Sequence, residues 1–110
     1  MSKKQQHERI GTIMKSKIVM TKGVNSLIEN EIFSDEDLFS VLFQFTANDW
    51  GILCDEDKKL QDELLLIPRS EYNDRFMGIY IIHNIKIWIF REYDHSTDTF
   101  LTTILLPEEY

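Results

Sequence analysis

The chain reads as an α+β domain, helices first and sheet last, and two observations carry that reading. Residues 21–67 hold three stretches in which apolar side chains recur every three or four positions, the helical period. Residues 75–106 hold three short runs rich in β-branched and aromatic residues, parted by polar turns, and Pro68 separates the two regions. The expected architecture is two to three N-terminal helices packed on a C-terminal three-stranded antiparallel meander. It divides into a basic flexible N-terminal arm, residues 1–16, and a single domain, residues 17–110.

Each element has its own signal. Residues 1–16 are polar and without sustained period, as a frayed start is. Lys17 to Thr21 (KIVMT) is a short β-branched run and a candidate strand. Thr21 can cap a first helix, with Val24, Leu27 and Ile28 along its buried stripe and Glu31 to Phe33 on its path. Ser34, followed three residues later by Asp37, predicts a capping box at the start of a second helix. Three acids there favour the positive end of the helix dipole. Leu38, Val41, Leu42 and Phe45 share one face, and Phe39 and Phe43 widen it until the helix is nearly apolar all round. Such a helix is expected to be buried on most sides, in its own domain or in a partner.

Asn48-Asp49-Trp50-Gly51 is a turn signal with a tryptophan inside it. Asp55 to Ile67 then reads as a third helix, capped by Asp55, with Leu60, Leu64 and Ile67 as its stripe and Pro68 as its stop. Arg69 to Asp74 is a loop. Arg75 to Ile82 and Ile85 to Glu92 flank His83-Asn84, a two-residue hairpin link in which Asn84 tolerates a left-handed backbone. Tyr93 to Asp98 is a polar turn, and Thr99 to Leu106 is the last strand, stopped by Pro107. The strands carry apolar residues on both faces. One face suits the helices; the other is open to the N-terminal segment, a partner or a second copy.

Composition narrows the class. The chain has 110 residues, 43% hydrophobic and 28% charged, an ordinary balance for one small globular domain. Its longest apolar runs, such as Ile79 to Ile82, are too short to span a bilayer, and the start lacks the pattern of an export signal. Cys54 is the only cysteine, which excludes an internal disulfide and a cysteine-based zinc cluster and fits a reducing cytoplasm. The net charge of −7 is unevenly placed. Residues 1–22 hold six basic residues against one acid, whereas residues 23–110 hold six against eighteen. A basic arm on an acidic body points to a polyanion for the arm or a basic partner for the body, against the plainer reading that both serve solubility.

Catalytic patterns are sparse. The four glycines are isolated, so there is no phosphate-cradling loop, and no HExxH pair occurs. Asp94 and His95, near Glu92, form the most chemical-looking patch. They read either as a metal or general-base pair or as a turn capped by its own side chains. Asp49, Trp50, Asp55, Glu56 and Asp57 form a second patch, with Trp50 either a core plug or an interface anchor. No cofactor is expected.

Two stretches resemble a family of small bacterial proteins described as plasmid-related. Asn48-Asp49-Trp50-Gly51 followed by Asp55-Glu56-Asp57-Lys58 resembles that family's GDWG…EEDK segment. Ile85 to Ile89 resembles its TKIWII strand, and Glu92 with Asp94-His95-Ser96 its TEADRS turn. Thr102 to Tyr110 resembles its TTILLPEEY ending residue for residue. Asn48 stands where the family has glycine, His95 where it has arginine, and residues 96–100 read as a short insertion. The resemblance implies one domain, carriage by bacterial mobile elements and a cytoplasmic protein, and implies no activity. The leading expectation is a non-catalytic acidic interaction protein, more narrowly an inhibitor of a bacterial defence nuclease (anti-CRISPR or anti-restriction) that blocks a basic nucleic-acid-binding surface. Its expected contacts are Asp49, Glu56, Asp57, Glu92, Asp94, Glu108 and Glu109, with Trp50 and Tyr110 as anchors. A homodimer is the other partnership considered; direct contact with nucleic acid or membrane is not expected. The alternatives are a small metal-dependent hydrolase or nuclease using Asp94 and His95, and a nucleic-acid-binding regulator using the basic arm.

Overall fold

The computed structural model describes residues 16–68, 71 and 75–110. The basic segment 1–15 and most of the loop 69–74 lie outside the described residues. The elements are β1 (Ser16–Met20), α1 (Lys22–Glu29), α2 (Asp35–Thr46), α3 (Asp55–Leu64), β2 (Phe76–Ile82), β3 (Ile85–Asp94), β4 (Thr99–Leu105) and a 3-10 turn (Pro107–Glu109). The fold is α+β, as expected, but the sheet has four strands rather than a three-stranded meander. The order is β1-β4-β3-β2, with β2, β3 and β4 antiparallel and β1 parallel to β4. Thr21 N–H extends this pairing to Ile104 O at 3.1 Å. The fourth strand is the short β-branched run at the start of the chain, which satisfies the outer edge of the last strand.

The register sorts the strand residues into two faces. Phe76, Tyr80, Ile82, Ile87, Ile89 and Ile104 lie on one face and join Val24, Phe33, Leu38, Val41, Phe45, Trp50 and Leu53 in a single core. Phe90 and Leu105 are buried on the other face, outside that core. There Tyr110 packs on Trp88 and Phe90 at 5.4 and 5.3 Å between ring centroids. This second face is therefore partly closed by the end of the chain itself.

Local signals explain the joints. Ser34 Oγ accepts from Asp37 N–H at 3.1 Å and Asp37 Oδ2 accepts from Ser34 N–H at 3.0 Å, the reciprocal capping box expected of α2. In the hairpin, His83 and Asn84 both have positive φ, 50° and 65°, as a two-residue turn matched to the sheet twist requires. His83 is an unusual residue for that geometry; its Nε2 lies 3.0 Å from Asp37 Oδ2 and its ring against Phe33, contacts that offset the backbone cost.

Three helix expectations need correction. α1 stops at Glu29, and Glu31 (φ 61°) turns the chain so that Phe33 enters the core from outside the helix. α3 stops at Leu64, its N-cap is Cys54 without a side-chain cap bond, and Asp55 sits in its first turn. Of the two burials expected for α2, in its own domain or in a partner, its own domain supplies one side only. Leu38, Val41 and Phe45 face the core, while Phe39 and Phe43 are 67% and 71% exposed. Period alone cannot say which of two apolar stripes meets the sheet. Among the described residues no helix is long and apolar enough to cross a membrane.

Candidate functional site

The Asn48–Gly51 turn is built for structure. Asn48 and Gly51 have positive φ, 64° and 76°. Asp49 Oδ1 accepts from Gly51 N–H and its Oδ2 from Gln44 Nε2, both at 3.0 Å. This drives Trp50 inward, where it is 2% exposed, stacked on Phe76 and edge-on to Phe45. Its Nε1–H donates to Asp62 Oδ1 at 2.9 Å. Trp50 is thus a core plug and not a surface anchor. The residues that follow it seal the outer edge of β2: Ile79 N–H donates to Trp50 O at 3.1 Å and Ile52 N–H to Ile79 O at 2.8 Å. Gln61 Oε1 takes the Met77 N–H of the same edge at 2.8 Å. Tyr80 donates from its hydroxyl to Asp49 O at 2.6 Å, and burial, aided by the Asp49 charge, pushes its pKa well above the ordinary range.

The other expected contacts divide into engaged and exposed groups. Glu109 reaches back to the start of α1, accepting from Gly23 N–H at 2.9 Å, from Leu106 N–H at 3.0 Å and from the Thr21 hydroxyl. The hydroxyl, more than the two amides, holds its carboxyl below the ordinary range. It serves as the α1 cap that Thr21 does not supply from its own side chain. Asp94 accepts from the Ser96 hydroxyl at 2.6 Å and the Ser96 amide at 2.9 Å, which lowers its pKa and closes the turn. His95 stands edge-on to Tyr93. Among the described residues no group of three His, Cys, Asp or Glu side chains comes together to hold a metal ion. Glu92 pairs with Arg75 at 3.3 Å, and Arg75 also donates to the Tyr110 hydroxyl. Tyr110 is 69% exposed. Glu56, Asp57 and Glu108 are exposed. Expected contacts thus lie at three places: the α3 start, the end of the chain, and the β3–β4 turn.

The candidate contacts Asp49, Glu56 and Asp57 belong to a longer acidic segment that they cover only in part. Between Lys22 and Lys58 the sequence has nine acids and no Lys, Arg or His. Asp37 and Asp49 are spent on the contacts above. Glu29, Glu31, Asp35, Glu36, Asp55, Glu56 and Asp57 are exposed, and none has an ion pair among the described residues. The outer face of α2 belongs to this segment and carries Asp35, Glu36, Phe39 and Phe43. The segment is bounded by Lys22 at the start of α1 and by Lys58 and Lys59 inside α3, so of the three helices only α2 is without a cation.

Comparison with protein-family models, with curated proteins and with solved structures found no match for this chain.

Proposed function

We propose that the chain is a non-catalytic, acidic interaction protein of the bacterial cytoplasm that docks on a basic surface of another protein. The observation that supports it is the segment of residues 23–57, from within α1 to the first turn of α3, with nine acids, no basic residue and seven carboxylates left in solvent. A field of one sign accelerates encounter with the opposite sign and repels the phosphates of nucleic acid. Carriage by a mobile element, which the resemblance to plasmid-related proteins implies, would suit an inhibitor of a defence nuclease, CRISPR effector or restriction enzyme, whose basic channel the acids would occupy. A hydrolase built on Asp94 and His95 is less well supported, because the Asp94 carboxylate is already spent on Ser96.

The test is DNA cleavage by purified representatives of both nuclease types, with the chain added at rising salt. Inhibition at about 50 mM salt that fades by about 0.5 M supports the proposal, since screening shortens to a few ångströms there. Inhibition that survives about 1 M salt refutes the electrostatic mechanism, and absence of inhibition refutes the nuclease target.

A further inference from the structure

We infer that the outer face of α2 is the docking surface, with Phe39 and Phe43 as anchors, and that it takes a protein surface offering an apolar slot flanked by Lys or Arg. The inference rests on the acidic-partner reading above and adds where contact is made and by what. Phe39 and Phe43 are one helical turn apart and therefore side by side. They point away from the stripe of Leu38, Val41 and Phe45 that meets the sheet, and are 67% and 71% exposed. Glu36 and Asp35 lie on the same side in the preceding turn. The helix that carries the ridge is anchored before binding, because the capping box holds the start of α2 and three core side chains hold its inner face. With the helix backbone already formed, only two short aromatic side chains remain to be ordered on docking.

Charge selects the occupant. A two-fold dimer through this face would set the acids of residues 23–57 against the same acids of the second copy. An anionic membrane surface would be repelled in the same way. A basic protein surface is attracted, and its Lys or Arg side chains find Asp35 and Glu36 free of other ion pairs among the described residues.

The test uses two labelled probes read by fluorescence anisotropy: an amphipathic Leu/Lys helix of about four turns, and an oligolysine of equal charge. The whole chain is compared with Phe39→Ser/Phe43→Ser and with Asp35→Asn/Glu36→Gln. The Leu/Lys peptide is expected to bind the unmodified chain at least about tenfold tighter than oligolysine. The phenylalanine variant should bring the two probes to parity and leave oligolysine unchanged. The charge variant should weaken both probes at about 50 mM salt. Unchanged melting of both variants, and peptide-induced amide shifts confined to residues 35–47 in NMR spectra, separate loss of the surface from loss of the fold. Parity of the two probes on the unmodified chain overturns the α2 site while leaving the acidic-partner reading standing, as does an unaffected phenylalanine variant. Failure of both probes to bind at low salt overturns both.

Discussion

Gly51→Ala should be among the most damaging single-methyl changes this chain can suffer. Gly51 has φ 76°, and a Cβ there would lie 1.8 Å from Ile79 O and 2.9 Å from Tyr80 Cδ1. The left-handed backbone alone costs an alanine roughly 1–2 kcal/mol. The overlap with a backbone oxygen cannot be relieved by rotating a side chain, so the turn must back away from β2. Doing so stretches the Ile52–Ile79 and Trp50–Ile79 hydrogen bonds, worth about 1 kcal/mol each. Together these make about 3–4 kcal/mol, a large share of the roughly 5–15 kcal/mol that holds a domain together. At about 4 °C per kcal/mol, the melting temperature should fall by roughly 12–16 °C. Thermal melts followed by far-UV circular dichroism and by the fluorescence of the buried Trp50 measure it. Gly23→Ala is the comparison: its Cβ would lie 2.8 Å from the Glu109 carboxylate, a side chain and not a backbone oxygen, so the loss should be no more than that of the α1 cap, about 1 kcal/mol. A Gly51→Ala protein within about 1 kcal/mol of the parent would refute the reasoning, because the predicted overlap would have been absorbed for free.

Two further outcomes follow from the packing. Glu109→Ala should cost about 1 kcal/mol at neutral pH, the usual worth of a helix cap. Because the Glu109 carboxyl is held below its ordinary value of 4.5, that stability is present above about pH 5 and lost as pH falls through the lowered folded value; melts from about pH 7 to pH 3 should show the variant and parent converging. Trp50→Phe removes the Nε1–H bond to Asp62 and part of the ring stack, and should cost about 1–2 kcal/mol by urea denaturation, whereas Trp50→Ala should cost about 3–5 kcal/mol.

The sequence was readable where structure is local. The Ser34–Asp37 box, the His83-Asn84 hairpin and the Asn48–Gly51 turn each write their geometry within a few residues, and all three form. It was not readable where partners are distant in the chain. Nothing in KIVMT says that it pairs in parallel with residues 80 or so positions later, because strand signals carry no address. Nor does Glu109 announce that it caps a helix 86 positions earlier in the sequence. The acidic character of the surface was legible in the sequence; which apolar side chains face solvent was not. Asp49 and Trp50 look like a surface patch because turns usually carry function, but here the turn exists to bury the tryptophan. Phe39 and Phe43 read as apolar and stay open between the domain's own core and a partner, since periodicity reports a stripe and not its direction; in the structure they face solvent.

Part of the acidity has a purely internal account, and what that account leaves over bears on function. Asp35, Glu36 and Asp37 occupy the first turn of α2, and Asp55, Glu56 and Asp57 that of α3, where negative charge is stabilising. The same dipole argument calls for Lys or Arg in the last turn, and α1, α2 and α3 have none there. The dipole accounts for the acids at the helix starts but not for the cation-free ends, which suit the acidic surface proposed above for α2. Ser40→Lys separates the two demands. Ser40 is exposed on α2, four residues after Glu36, the favourable orientation for a helical ion pair. The variant should gain about 0.3–0.5 kcal/mol from the pair and a few tenths more from helix propensity, visible as a small rise in the urea midpoint. It also places a cation beside Phe39 and Phe43 and engages Glu36, so binding of the Leu/Lys peptide at low salt should weaken as the domain becomes more stable. A stabilised Ser40→Lys protein that binds the peptide as before would mean that the acids of this surface serve the helix dipoles and solubility and nothing else.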